Sequence, residues 1–185
     1  MTIPNIITIV RLVLVPGVVL AMLQQNWDWA FAGFVVAGIS DGLDGFIARH
    51  FNQRSKLGAY LDPMADKLLL VSVFVVLGIA GQLPLWLVIA VVSRDALIVG
   101  AVLLSSLLGQ PVEMKPLPVS KVNTAVQIVL AALVLGELAF EMSLGGLRPM
   151  LIILTGLLTV ASAAAYLVPW LRHMSGYGEG GNAGT

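Results

Sequence analysis

Four aspartates lie close together in the sequence, within the stretch DGLDGFIARHFNQRSKLGAYLDPMAD at residues 41–66. Asp41 and Asp44 are three residues apart, and Asp62 and Asp66 are four residues apart. On α-helices these spacings place the two members of each pair on one face. Carboxylate oxygens are preferred ligands of Mg²⁺, Mn²⁺ and Ca²⁺, and four carboxylates suit two ions. Two such ions favour phosphoryl transfer, because they neutralise phosphate oxygens and stabilise the attacking and leaving oxygens.

The composition indicates an integral membrane protein. Hydrophobic residues make up 58% of the 185 residues and charged residues 11%, whereas soluble domains have about 45–50% and 25%. The formal net charge is zero and no basic run is present, which argues against a nucleic-acid partner. Cysteine is absent, so disulfides and thiolate metal sites are excluded. Arg11 interrupts the first apolar run, and we therefore expect a retained membrane span rather than a secretory signal.

Membrane context raises the significance of the four aspartates. Carboxylates at helix ends are often only solvated or paired, but charges inside a membrane are costly and point to function. Several anions at one depth would repel each other strongly unless cations lie among them. A cation transporter is the alternative, and it would distribute its carboxylates along a path or near the bilayer midplane. Clustering at a single depth favours an enzyme.

The hydropathy pattern predicts an all-α polytopic membrane protein with six transmembrane helices. An even number of spans leaves both termini on one side, and the excess of Lys and Arg on that side predicts that it is cytoplasmic. We expect residues 1–174 to form the transmembrane domain and the Gly-rich residues 175–185 to be a disordered tail. The predicted spans are residues 3–23, 27–49, 61–80, 83–108, 119–140 and 147–171.

The aspartates belong to a longer pattern, D-x-x-D-G-x-x-A-R, eight residues, G-x-x-x-D-x-x-x-D, which is complete from Asp41 to Asp66. It resembles the signature of the CDP-alcohol phosphatidyltransferases, with every fixed position filled. That resemblance implies a homodimer with six transmembrane helices and a divalent-cation requirement. It also implies transfer of a phosphatidyl group from CDP-diacylglycerol to an alcohol, with release of CMP.

The resemblance also assigns roles to residues of the signature. The four aspartates would bind two divalent cations, Mg²⁺ or Mn²⁺, and Asp66 would also be the catalytic base for the acceptor hydroxyl. Small side chains beside Asp41 would let a nucleotide approach the helix, and nearby cations could bind its diphosphate. The predicted CDP-binding residues are Asp44, Gly45, Ala48, Arg49, Lys56 and Gly58.

The acceptor alcohol must be predicted from other segments. IPNIITIVR at residues 3–11 resembles the branch of the family that makes phosphatidylglycerol phosphate or cardiolipin. VVSRDALIVG at residues 91–100 and KPLPVSKVNTAVQ at residues 115–127 favour the cardiolipin-forming enzymes, whose acceptor is phosphatidylglycerol. Glycerol 3-phosphate, giving phosphatidylglycerol phosphate, is the alternative acceptor. The predicted acceptor-binding residues are Asn5, Thr8, Arg11, Arg94 and Lys121.

Three of the predicted acceptor residues have a simpler interpretation. Asn5 and Thr8 could form interhelical hydrogen bonds, and Arg94 could merely neutralise Asp95 inside the bundle. The small residues at 161–165, Ala-Ser-Ala-Ala-Ala, predict close helix packing, either within the bundle or at a dimer interface. The combined prediction is a phospholipid-synthesising enzyme of the bacterial inner membrane, with its site facing the cytoplasm.

Overall fold

The computed structural model describes residues 3–50, 56–107 and 117–176, with side chains described at residues 10, 12–40, 67–100 and 117–169. The backbone over these residues forms helices joined by turns, without a strand, and the predicted all-α class is confirmed. The six helices within this part of the chain are α1 (Ile3–Leu23), α2 (Trp27–His50), α3 (Lys56–Ile79), α4 (Leu85–Leu107), α5 (Pro118–Ala139) and α6 (Leu147–Gly176).

Two helices extend beyond the predicted boundaries. α3 begins at Lys56 rather than at residue 61, and α6 continues to Gly176 rather than ending at residue 171. The remaining tail, residues 177–185, lies outside the described residues. Both differences have one cause: apolar residues define a membrane span, whereas backbone hydrogen bonds define a helix and continue through polar residues.

Two helices in the described part of the chain have apolar stretches long enough to cross a membrane. These are Pro118–Ala139 and Leu147–Pro169, with mean hydropathies of 1.8 and 2.2. Shorter apolar segments lie in α1, α2 and α3. Large side chains such as Trp29 and Leu157 are exposed, as expected of a surface that contacts lipid rather than water. These features support membrane association, and the crossing of all six helices stays a prediction.

The core of the bundle is formed around α3, which contacts α1, α4 and α5. Val73, Phe74 and Leu77 on α3 are fully buried, together with Leu87 on α4 and Leu130 on α5. Helix α2 packs against α1 and α5, and α6 packs against α4 and α5. Helices α2 and α3 therefore lie among the helices that carry the other predicted site residues.

Three turns, at residues 24–26, 80–84 and 140–146, lie together at one end of the bundle, which we call the loop end. The rings of Phe31 in α2 and Phe140 after α5 meet edge to face, with centroids 5.4 Å apart. Arg148 at the start of α6 donates to Gln82 in the turn between α3 and α4. Because α2 begins and α3 ends at the loop end, the aspartate-bearing segments of both helices lie toward the opposite end.

Candidate active site

The aspartate pairs lie at matching heights on two helices that run in opposite senses relative to the loop end. Asp41 is 14 residues past the start of α2, and Asp66 is 13 residues before the end of α3. Asp44 and Asp62 are each 17 residues from those same ends. At a rise of about 1.5 Å per residue, the two levels lie roughly 20 and 26 Å from the loop end. The side chains of all four lie outside the described set.

A cavity of about 160 Å³ lies next to the aspartate segments, between α2, α3, α4 and α5. Gly38, three residues before Asp41, lines it from α2, and Lys67, which follows Asp66, lines it from α3. The helices that carry the aspartates therefore meet at one cavity. Its other lining residues are Phe34, Ala37, Leu69, Leu70, Asp95, Thr124, Gln127 and Ile128.

A charged cluster forms one wall of the cavity. The Lys67 ammonium donates to Oδ1 of Asp95 at 2.7 Å, and Nη1 of Arg94 donates to the same oxygen at 2.5 Å. The Lys67 side chain is 43% exposed, whereas that of Arg94 is 2% exposed. The three residues, which we call the cavity cluster, therefore combine one accessible cation with one buried ion pair.

Arg94 is anchored by two further helices. Its Nε and Nη2 atoms donate to Oγ of Ser162 on α6, at 3.2 and 2.6 Å, and Nη2 also donates to Oγ of Ser120 on α5. Each guanidinium nitrogen thus has a partner inside the bundle. Because Arg94 is also almost fully buried, its guanidinium does not face the cavity but fixes Asp95 relative to α5 and α6.

Comparison with known proteins identifies the family. Residues 1–168 match the family model for CDP-alcohol phosphatidyltransferases. The chain belongs to the CDP-alcohol phosphatidyltransferase family. The predicted family resemblance is therefore confirmed.

Three relatives illustrate the range of names among similar family members. Human cardiolipin synthase (CMP-forming) is 35% identical over 181 residues, covering 89% of this chain and 60% of that protein. A cardiolipin synthase (CMP-forming) / mitochondrial hydrolase fusion protein of Schizosaccharomyces pombe is 31% identical, covering 90% of this chain and 31% of that protein. The Bacillus subtilis CDP-diacylglycerol--glycerol-3-phosphate 3-phosphatidyltransferase is 33% identical over 156 residues, covering 75% of this chain and 79% of that protein.

The predicted metal ligands of this family member suit divalent cations by their chemistry. Two carboxylates on each of two helices, at matched heights, offer only oxygen donors, which hard cations prefer. Among the side chains that the structure describes, no group of three or more acidic or histidine residues could bind a metal, and the four aspartates are not in that set. The metal site therefore stays a prediction supported by backbone register.

The other predicted site residues fall on five helices. Lys121 is exposed on α5, directly after Ser120, which contacts Arg94. The contact of Arg94 with Asp95 matches the simpler interpretation, and direct contact of Arg94 with an acceptor stays a prediction that its burial disfavours. The remaining predicted residues have helical backbones but lie outside the set of described side chains: Asn5, Thr8 and Arg11 in α1, Gly45, Ala48 and Arg49 in α2, and Lys56 and Gly58 in α3.

Sequence reasoning missed the interhelical polar contacts behind the cavity. Thr159 on α6 donates to Oδ1 of Asn123 on α5 at 3.1 Å and accepts from Gln127 at 3.5 Å. With Thr155 and Ser162, Thr159 forms a buried polar stripe on α6. The spacing of 155, 159 and 162 was the available signal, since steps of four and three share a helix face. Ser162 also shows that the small-residue stretch packs inside the bundle on one side.

Proposed function

We propose that this protein is a metal-dependent phosphatidyltransferase that moves the phosphatidyl group of CDP-diacylglycerol to phosphatidylglycerol, forming cardiolipin and CMP. The observation that carries this proposal is the complete signature on two helices whose aspartates lie at matched heights beside one cavity. Family membership supports the transfer reaction. The chain spans about 60% of the human relative, so the complete reaction is proposed for this chain rather than taken from that protein.

The residues of the signature divide the chemistry between them. Asp41, Asp44, Asp62 and Asp66 would hold two divalent cations, which when bound neutralise phosphate charge. Asp66 accepts the proton of the acceptor hydroxyl as its oxygen attacks the phosphatidyl phosphorus. The bond between that phosphorus and the CMP oxygen breaks, and CMP leaves with the bonding electron pair.

The CDP site would be formed by Asp44 together with residues that lie between the two aspartate pairs. Gly45 and Ala48 leave space for the nucleotide against α2. Arg49 and Lys56 bind the diphosphate, because cationic donors form strong hydrogen bonds with phosphate oxygens. Gly58 lets the start of α3 approach the nucleotide closely.

Phosphatidylglycerol is the favoured acceptor on two grounds. The segments around Arg94 and Lys121 resemble the cardiolipin-forming branch, and two of the relatives described above carry that name. The cavity wall is also mostly apolar, which suits a lipid better than a soluble dianion. Glycerol 3-phosphate remains the second candidate, because the Bacillus subtilis relative is named for it. Asn5, Thr8 and Arg11 would complete the acceptor site from α1.

The enzymatic test uses purified full-length protein with CDP-diacylglycerol and one acceptor at a time. The acceptors are phosphatidylglycerol, glycerol 3-phosphate, inositol phosphate and serine, each with Mg²⁺, with Mn²⁺ or with EDTA. We expect CMP and cardiolipin only with phosphatidylglycerol and a divalent cation. Phosphatidylglycerol phosphate as the main product would identify glycerol 3-phosphate as the acceptor instead. Turnover in EDTA would refute the metal site. Cation flux into liposomes without CMP release would support a transporter instead.

We further propose a homodimer in the bacterial inner membrane, with six spans and both termini in the cytoplasm. The chain has no cysteine, so single-cysteine variants can be labelled cleanly in intact cells. Ser143→Cys in the exposed turn after α5 should react with an impermeant maleimide from outside. Lys56→Cys should react only after the cells are opened. The reverse pattern would invert the topology.

A further inference from the structure

Lys67 is the cationic side chain among the residues that line the cavity. Its ammonium has three donors, and one of them is directed at Asp95 over 2.7 Å. The side chain is 43% exposed. Among the side chains that the structure describes, Asp95 is its partner, so the partly exposed ammonium can also donate to a group that enters the cavity.

The cavity cluster carries unbalanced charge. Arg94 and Lys67 contribute two positive charges and Asp95 contributes one negative charge, leaving a net charge of +1. Much of the surrounding wall is apolar, including Phe34, Leu69 and Ile128. Water is a poorer screen beside such a wall than in bulk, so these three residues would attract an anion more strongly there once bound divalent cations neutralise the four aspartates of the signature.

The position of Lys67 is set by Asp95, which also lines the cavity, and by the buried Arg94 behind it. Asp95 accepts from both cations through the same oxygen, and Arg94 holds Asp95 while donating to Ser120 and Ser162. This chain of contacts ties Lys67 on α3 to α4, α5 and α6. A long lysine side chain is thereby held in one place, which reduces the entropy lost when it binds a ligand.

We infer that Lys67 binds the phosphate anion of the acceptor in this cavity, and that Asp95 and Arg94 are its positioning residues. The inference rests on the proposed phosphatidyl transfer and deepens it by naming the acceptor contact. A single excess charge matches the single negative charge of a lipid phosphodiester. Lys67 follows Asp66 directly, so the bound phosphate lies beside the segment proposed to accept the hydroxyl proton.

A purely structural role for Lys67 makes different predictions. Partly exposed ion pairs contribute little to stability. If Lys67 only linked α3 to α4, its loss would lower stability slightly and affect both substrates alike. If it binds the acceptor, its loss raises the KM of the acceptor selectively.

The kinetic test compares Lys67→Met, Lys67→Gln and Lys67→Arg with the matched control Arg148→Met. Arg148 also forms an interhelical ion pair, but at the loop end. We expect Lys67→Met and Lys67→Gln to raise the KM for phosphatidylglycerol by about tenfold or more, with the KM for CDP-diacylglycerol within about twofold of the wild-type value. Lys67→Arg should restore much of the affinity. Equal changes in both KM values, or the same selective change in Arg148→Met, would overturn the inference.

A binding test makes the inference independent of turnover. Isothermal titration of the full-length protein in detergent, with Mg²⁺ and without CDP-diacylglycerol, uses short-chain phosphatidylglycerol, glycerol 3-phosphate, inorganic phosphate and diacylglycerol. We expect Lys67→Met to weaken binding of phosphatidylglycerol by about tenfold and to leave binding of diacylglycerol, which lacks a phosphate, unchanged. Tighter Lys67-dependent binding of glycerol 3-phosphate would identify a soluble phosphate as the ligand and overturn the lipid assignment.

The two tests separate the possible failures. Wild-type protein that binds phosphatidylglycerol through Lys67 but releases no CMP would refute the proposed function and retain the anion site. Wild-type protein that makes cardiolipin while all Lys67 variants keep wild-type KM values would refute the anion site and retain the function. Lys67→Arg keeps the charge and the contact with Asp95, so it provides a folded variant if the neutral substitutions do not fold.

Discussion

Two charged clusters join helices in this protein, and they differ in net charge. At the loop end, Glu137 accepts from the backbone N–H of Leu144 at 2.8 Å and from Arg148 at 3.3 Å, while Arg148 also donates to Gln82. This loop cluster has one cation and one anion. The cavity cluster has two cations and one anion, and its accessible cation faces a cavity.

This difference shows how a charged side chain that only links helices can be distinguished from one that binds a ligand. In the loop cluster, Glu137 and Arg148 satisfy each other and backbone groups of neighbouring turns, so nothing further is needed for neutrality. In the cavity cluster, the single negative charge of Asp95 is shared by Arg94 and Lys67, so these three residues together keep one positive charge. Excess charge is costly in an apolar setting and is retained where a ligand of opposite charge binds.

The largest expected effect is on the rate of turnover, which should depend on Asp66 in the aspartate segment and not on Glu137 at the loop end. Asp66→Asn should lower the rate of CMP release by about 10³-fold while CDP-diacylglycerol still binds, because a lost base affects the transition state more than the ground state. Glu137→Gln should leave the rate per folded molecule near that of the wild type. Timed assays of CMP release by both variants measure these rates. A wild-type rate for Asp66→Asn would remove this residue from the role of base.

The next effect compares members of the cavity cluster. Asp95→Asn should lower the free energy of unfolding by about 3 kcal/mol, because it leaves the buried Arg94 charge without its counterion. Lys67→Met should cost less than about 1 kcal/mol, because its ion pair is partly exposed. Unfolding by SDS titration measures both. A larger loss of stability from Lys67→Met than from Asp95→Asn would contradict the description of the cavity cluster as a buried ion pair, Arg94 with Asp95, and an accessible cation, Lys67.

A smaller effect tests how tightly the helices pack toward the loop end. A Cβ atom at Gly33 of α2 would lie 2.7 Å from Cγ2 of the buried Val18 in α1, whereas one at Gly17 of α1 would meet nothing within 4 Å. Gly33→Ala should therefore destabilise by about 1 kcal/mol through overpacking, and Gly17→Ala should stabilise by about 0.5 kcal/mol through helix propensity. The same SDS titration measures both changes in stability. A change of the same sign in both variants would show that the contact between residue 33 and Val18 does not limit the separation of α1 and α2.

The smallest expected effect concerns the turn that joins α1 to α2. Gln25 has a left-handed backbone, with φ of 61°, which glycine adopts at lower cost. Gln25→Gly should raise the free energy of unfolding by about 0.5 kcal/mol, and Gln24→Gly should give no gain, since Gln24 is not among the positive-φ residues of the described chain. Comparison of the two unfolding midpoints is the measurement. A gain from Gln24→Gly alone would contradict the assignment of strain to Gln25.

Much of the fold and the chemistry could be predicted from the sequence. The start and end of α1 at Ile3 and Leu23, and the start of α2 at Trp27, agree with the predicted spans, because apolar runs bounded by polar residues are local signals. The family signature is local too, since Asp41 and Asp44 lie in one helix and Asp62 and Asp66 in the next. Spacing within a helix fixes which residues share a face without knowledge of the tertiary structure.

Only the tertiary structure decided which charged and polar residues meet across helices. The sequence left open whether Arg94 binds an acceptor or neutralises Asp95, and it gave no sign of Ser162, 68 residues away, as a partner of Arg94. Lys67 and Asp95 are 28 residues apart. Helices that are apolar over most of their surface can pack in several rotations with similar burial, so hydropathy does not select the contacting faces. Close packing and interhelical hydrogen bonds select them, and those depend on all the neighbouring helices together.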